Sequence, residues 1–183
     1  RSIGLSTGFI ELDLMTLGFN PGEFIIIAAL PSMGKRCFIN NIMINVSIIN
    51  DVEVMLFSLE MPHKQNIKRI LSAESGIPHE ELRRGRINDV NAYRRGLDAL
   101  NSSKICVYDK ASAELAVIRQ EIRKQRNHSN VGLVIVDYIQ LVSVPTQGTR
   151  ELEVSMIGKG LKSIAMDLNI PVIGVSQLNR ATT

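Results

Sequence analysis

Much that would assign a protein at a glance is missing from this sequence. Its two cysteines, Cys37 and Cys106, lie far apart in apolar contexts. That excludes a disulfide framework and makes the cytoplasm the expected compartment. The three histidines, His63, His79 and His128, are scattered, with no Cys or Asp beside them at metal-ligand spacing, and read as solvated surface. No apolar run approaches ~20 residues, so no membrane-spanning helix is expected. Arg1-Ser2-Ile3 lacks the charged-then-apolar layout of a signal peptide. Charge is not lopsided either: a net +3 and a pI of about 9.0 are too mild to imply a nucleic-acid partner. No internal repeat is present.

What remains is an ordinary globular composition, 45% hydrophobic and 21% charged over 183 residues, enough for one α/β domain with a full core. Thr7 to Met15 reads as a short helix capped by Thr7, with Phe9 and Leu12, and less firmly Ile10 and Met15, on its buried face. Asn20-Pro21-Gly22-Glu23 is a turn signal. Strands are expected at 24–29, 52–57, 104–108, 132–137 and 171–176. Between them fall helices: Cys37 to Ile49, one with Pro62 in its first turn running to Ser75, and helical spacing from Pro78 to Asn101. A further helix is capped by Ser112, and a long one runs from about Glu151 to Asn169. Strands alternating with helices, several of them apolar throughout, imply a doubly wound, mainly parallel sheet with helices on both faces. Residues 1–183 are therefore read as a single domain, with 1–20 as an N-terminal segment carrying a short helix. The interleaved Arg83, Arg84, Arg86, Arg94 and Arg95 read as a solvated helical face rather than a nucleic-acid patch.

One stretch carries chemistry by itself. The apolar run from Phe24 leads into Ala29-Leu30-Pro31-Ser32-Met33-Gly34-Lys35-Arg36-Cys37. Strand, small-residue loop, Gly-Lys and helix start are the layout of a phosphate-binding loop, G-x-x-x-x-G-K-[ST]. Ser32, Met33, Gly34, Lys35, Arg36 and Cys37 are its candidate nucleotide-binding residues. Ala29 stands in place of the first glycine, a mild change. Arg36 stands in place of the magnesium-binding hydroxyl, a severe one, because a guanidinium has no lone pair to offer a metal.

Parallel sheets bind ligands beyond the carboxyl ends of their strands. Glu60, Asp137 and Gln177 fall at that edge, with Lys35. Lys35 fits neutralisation of the β- and γ-phosphates, and Asp137 the Walker B position that holds magnesium. Glu60 fits the general base and Gln177 a sensor of the γ-phosphate. Each has a plainer reading. Asp137 also fits a helix or turn cap, Glu60 the first turn beside Pro62, and Gln177 alone says almost nothing. Their coincidence at matching strand ends favours the nucleotide site.

Four stretches, the phosphate loop first among them, resemble the successive motifs of the DnaB-type replicative DNA helicases. They are Pro31-Ser32-Met33-Gly34-Lys35, Phe57-Ser58-Leu59-Glu60-Met61-Pro62, Val136-Asp137-Tyr138-Ile139-Gln140-Leu141 and Ser176-Gln177-Leu178-Asn179-Arg180. Thr7-Gly8-Phe9, Leu12-Asp13 and Gly18-Phe19 resemble the start of that family's RecA-like motor domain. The resemblance implies an ATP- and Mg²⁺-using motor, Glu60, Lys35 and Gln177 acting in catalysis and Asp137 on the metal. It also implies a homo-oligomeric, typically hexameric ring on single-stranded DNA, with primase and a helicase loader as further partners. The loop Pro145 to Arg150 would line the channel and Arg150 meet phosphates, although Arg150 equally fits a solvated helix start. Such a motor continues beyond Thr183 to an arginine finger and is preceded by a primase-interacting domain, so the chain is read as incomplete at its C-terminal end. Weak or no DNA-stimulated ATPase activity follows as the expectation. The competing reading is a hydrolysis-deficient paralogue that binds nucleotide or joins a ring; a RecA-like recombination ATPase is disfavoured by Ser-Leu-Glu-Met.

Overall fold

The computed structural model describes residues 4–146 and 148–178, and its centre is a five-stranded sheet in the order β1-β7-β5-β2-β3. Its strands are β1 (Phe24–Ala29), β2 (Glu53–Ser58), β3 (Ile105–Tyr108), β5 (Val131–Asp137) and β7 (Val172–Gln177), and every pairing among them is parallel. Each begins and ends within one residue of the bounds expected from the apolar runs. Asn179 and Arg180 of the last motif, and Gln147 of the loop before Arg150, lie outside the described residues.

Alternation along the strands divides the core into two layers. Met55, Phe57, Val134, Val136 and Val172 face α6 (Leu115–Arg126) and α7 (Arg150–Leu168), meeting Ile118, Ile122, Ile157, Leu161 and Ile164. Val54, Leu56, Leu133, Ile135, Ile173 and Val175 face α2 (Lys35–Asn50) and α3 (His63–Ser75), meeting Ile39, Ile42, Met43, Val46 and Ile70. Both faces of the central strands are covered, which is why β5 carries apolar residues at consecutive positions rather than alternate ones. A smaller cluster of Leu71, Ile77, Leu82 and Ala92 joins α3 to α4 (His79–Arg84) and α5 (Val90–Ser102).

Several local expectations are corrected. The first helix, α1 (Ile10–Thr16), starts later than Thr7, and Phe9 occupies its N-cap. Thr7 instead accepts from Phe9 N at 3.2 Å and donates its hydroxyl to Asp13 Oδ1 at 2.7 Å, tying the segment ahead of the helix to its middle. Ile10 and Met15 point outward, 78% and 85% exposed, and of the expected face Phe9 and Leu12 pack against the core. Pro62 is the N-cap of α3 rather than part of its first turn. The helical spacing from Pro78 to Asn101 is split: α4 stops at Gly85, whose φ of 69° suits a left-handed cap, and Asp89 caps α5 by accepting from Ala92 N at 2.8 Å. Ser112 caps nothing. The backbone after it forms β4 (Ala113–Glu114), which pairs in parallel with β6 (Val142–Ser143), and α6 begins from Glu114. That pairing joins residues far apart in sequence and leaves no local signal. The last long helix starts at Arg150, capped by Thr149.

Candidate functional site

The register of the sheet assembles the cleft. Ser58 at the end of β2 lies opposite Asp137 at the end of β5, and Ala29 at the end of β1 opposite Gln177 at the end of β7. Leu59 N donates to Asp137 O at 2.9 Å and Leu178 N to Ala29 O at 3.1 Å, so the segments leaving the strands stay paired for one more residue. A cleft of about 450 Å³ opens above these ends. It is lined by Ser32, Gly34, Lys35, Arg36, Cys37, Glu60, Asp137 and Gln177, and also by Arg69 and Tyr138. Met33 is not among the lining residues and its side chain is 71% exposed, so any role there belongs to its backbone.

The loop's conformation follows from two positive φ values, 65° at Ser32 and 80° at Gly34. At Gly34 no Cβ opposes that conformation. Phe38 N makes the first bond of α2, to Gly34 O at 3.1 Å. The N–H groups of Lys35, Arg36 and Cys37 precede it and have no acceptor within the helix. No acidic residue lies in that first turn, leaving the positive end of the helix dipole uncompensated by a side chain. An anion is the natural occupant.

The side chains form one network. Lys35 Nζ donates to Ser176 O at 2.7 Å, holding the ammonium between the loop and β7. Burial depresses the Lys35 pKa, and Arg36 adds to this while Asp137 and Glu60 oppose it. Burial raises the Asp137 pKa, against the pull of Arg36 and Lys35. Shifts in opposite directions on a cation and an anion have one cause: desolvation outweighs their mutual attraction. Arg36 reaches both carboxylates. Its Nη2 donates to Glu60 Oε2, and its Nε lies 3.4 Å from Asp137 Oδ2.

That arrangement tests the magnesium expectation. A divalent ion of this kind takes near-octahedral oxygen ligands. Here the helix position that would supply a hydroxyl supplies a cation, and an oxygen of each carboxylate already faces it. The donor set as arranged does not fit magnesium.

Two more groups bear on the site: sequence reasoning missed Arg69, and it quoted Gln140 within a motif without giving it a role. Arg69 lines the cleft from the middle of α3, and its Nε is buried without a hydrogen-bond partner among the described residues. Nothing local distinguishes it from Lys64 or Lys68; only the docking of α3 does. Gln140, in a 3-10 turn (Ile139–Leu141), donates to Ser176 Oγ at 2.8 Å and Gln177 O at 3.2 Å, bridging the ends of β5 and β7. Arg150 stands outside the cleft. It pairs with Glu153 and donates to the Gln140 carbonyl, so among the described residues it touches the site through Gln140.

Sheet order, loop and strand-end residues together define a RecA-like P-loop domain. The family described as DnaB-like helicase C terminal domain matches residues 4–183, and the chain belongs to it. The replicative DNA helicase DnaC of Bacillus subtilis is 40% identical over 181 residues, which is 97% of this chain and 40% of that protein. A solved ATPase domain superimposes with a TM-score of 0.93 at 34% identity, over 99% of this chain and 66% of that one. A solved DnaB-like replicative helicase, described with its interactions with primase, gives 0.90 at 33% identity over 98% of this chain and 44% of that one. The chain thus spans about two-fifths of the length of the curated relative. No helix among the described residues is long and apolar enough to cross a membrane.

Proposed function

We propose that this chain is the nucleotide-binding motor core of a DnaB-like replicative DNA helicase, acting in the cytoplasm within a larger, ring-forming protein. In that protein ATP is the substrate and single-stranded DNA the track. Primase and a helicase loader are the partners the family suggests. The observation that carries the reading is the convergence of Lys35, Glu60, Asp137 and Gln177 on one cleft from separate strand ends, around a helix start whose first N–H groups have no acceptor within the helix. Family membership favours it over a degenerate module, since the matched relative is itself a replicative helicase.

Each group has a task in this reading. The loop N–H groups and the Lys35 ammonium hold the terminal phosphates, and Arg69 adds a second cation from α3. Gln177, exposed at the end of β7, reads the γ-phosphate by hydrogen bonding. In the motor reaction water adds to the γ-phosphorus, the bond to the ADP oxygen breaks, and the water's proton passes to a carboxylate. Glu60 is that carboxylate, with Asp137 buried beside it. Arg150 contacts DNA phosphates, and its bond to the Gln140 carbonyl links that contact to Gln177 and Ser176.

The test is equilibrium binding of a fluorescent ATP analogue to the chain and to Lys35→Ala. The native chain is expected to bind, and the variant to lose about tenfold or more in affinity, one charge-assisted phosphate contact being worth roughly that much. Equal binding by both, with matching unfolding curves, would remove Lys35 and the loop from the reading.

A further inference from the structure

We infer that this cleft takes a nucleoside polyphosphate without a divalent ion, the Arg36 guanidinium serving as the fixed cation on Glu60 and Asp137. The inference rests on the nucleotide-site reading above and goes beyond it, to how this site handles the metal its relatives' loops are built to hold.

Position 36 is the second residue of α2, so its side chain leaves the helix start directly beneath the loop. From there it crosses to the ends of β2 and β5, which the sheet register holds side by side. One planar group then meets two carboxylates from different elements, Glu60 through Nη2 and Asp137 through Nε. The Asp137 side chain is 12% exposed and the Arg36 side chain 28%, so this contact is sheltered rather than a passing surface pair. A carboxylate as sheltered as Asp137 requires a partner, whereas Glu60, 47% exposed, needs one less. In a loop ending in Ser or Thr, a metal ion meets that requirement. Here a side chain meets it permanently, because a guanidinium does not lose its proton.

Two consequences follow from charge and geometry. First, metal and Arg36 compete for the same two carboxylates, and a divalent ion entering beside a fixed cation is repelled as well as outcompeted. Second, polyphosphate binding survives without the metal. Lys35, Arg36 and Arg69 line the cleft together with the start of α2, against two carboxylates. Two of the five N–H donors of Arg36 face Glu60 and Asp137, which leaves others to meet phosphate oxygens. Hydrolysis is a different matter. Glu60 Oε2 already accepts from Arg36, so the group best placed to take a proton from water is engaged. For Glu60 to take that proton, its bond from Arg36 must open or its other carboxylate oxygen must serve.

The experiment is a titration of the native chain with a fluorescent ATP analogue, in magnesium and again in EDTA. The same pair of titrations is run on Arg36→Thr and Arg36→Gln. Native affinity is expected to agree within about twofold between the two conditions, and Arg36→Thr to bind about tenfold or more tightly with magnesium than without. Arg36→Gln removes the charge but offers no hydroxyl, so it should bind less tightly than the native chain in EDTA. The native comparison needs no variant to fold. If magnesium tightens native binding tenfold or more, the metal enters and the inference is overturned while the nucleotide site stands. If the folded native chain binds in neither condition, the nucleotide-site reading fails and this inference falls with it.

Discussion

At the scale of single residues, the structure shows how few positions set the character of this site. Arg36 replaces an uncharged hydroxyl and gains two carboxylate partners. Asp13 is a second such position, away from the cleft. Burial pushes its carboxyl upward, but hydrogen bonds from Ser6, Thr7 and Gly8 outweigh this and hold its pKa below the usual Asp value. A carboxylate with a depressed folded-state pKa contributes stability above its unfolded pKa and loses it as pH falls through the folded value. Asp13→Ala is therefore expected to cost about 2 kcal/mol near neutrality, the worth of a few hydrogen bonds to a half-exposed charge. The gap from the native chain should close in acid, below about pH 4. Urea unfolding of both proteins at neutral and acidic pH measures it; a gap that persists at low pH would show that Asp13 acts by packing.

At the scale of elements, the close approach of α3 and α5 decides where Arg69 stands. Gly96 in α5 makes the approach possible: a Cβ there would sit 2.9 Å from Ser75 Cβ and 3.1 Å from Ser75 N on α3. Backbone atoms cannot step aside as a flexible side-chain tip can. Gly96→Val should cost about 1–3 kcal/mol by overpacking, with a lowered thermal midpoint. Unchanged stability would mean that the two helices pack more loosely than this. The elements themselves were largely legible, because buried parallel strands need unbroken apolar runs and helices need caps. Pairing was not legible. β4 and β6 contain two residues each, too few for any periodicity, and they exist only because the folded chain brings Ala113 beside Val142. The missed α4–α5 break has a local cause that periodicity hides: Gly85 and Asp89 interrupt a pattern whose apolar spacing continues across them.

At the scale of the whole molecule, β1 is one of the two edges of the five-stranded sheet among the described residues. Ile26 on that strand is 57% exposed, and an apolar groove lined by Leu12, Phe19, Ile25, Ile26, Ile27 and Phe38 runs beside it. An apolar edge strand is a template for association. The chain by itself should therefore associate as its concentration rises, and Ile26→Lys should shift it towards monomer in sedimentation without weakening nucleotide binding. A native chain that stays monomeric throughout would show that the edge is protected in some other way.

The sequence by itself determined the chemistry available at the strand ends. Lys35, Glu60, Asp137 and Gln177 each follow an apolar run, and local pattern is enough to place a residue at the end of its own strand. Only the tertiary structure decided which ends are neighbours. Nothing near Val172 says that β7 inserts between β1 and β5, because that order arises from burying both faces of the sheet at once. Arg36 depends on the same order. Its chemistry is plain from one letter, but its partners are set by the pairing of β2 with β5, which puts Glu60 and Asp137 within reach of one guanidinium.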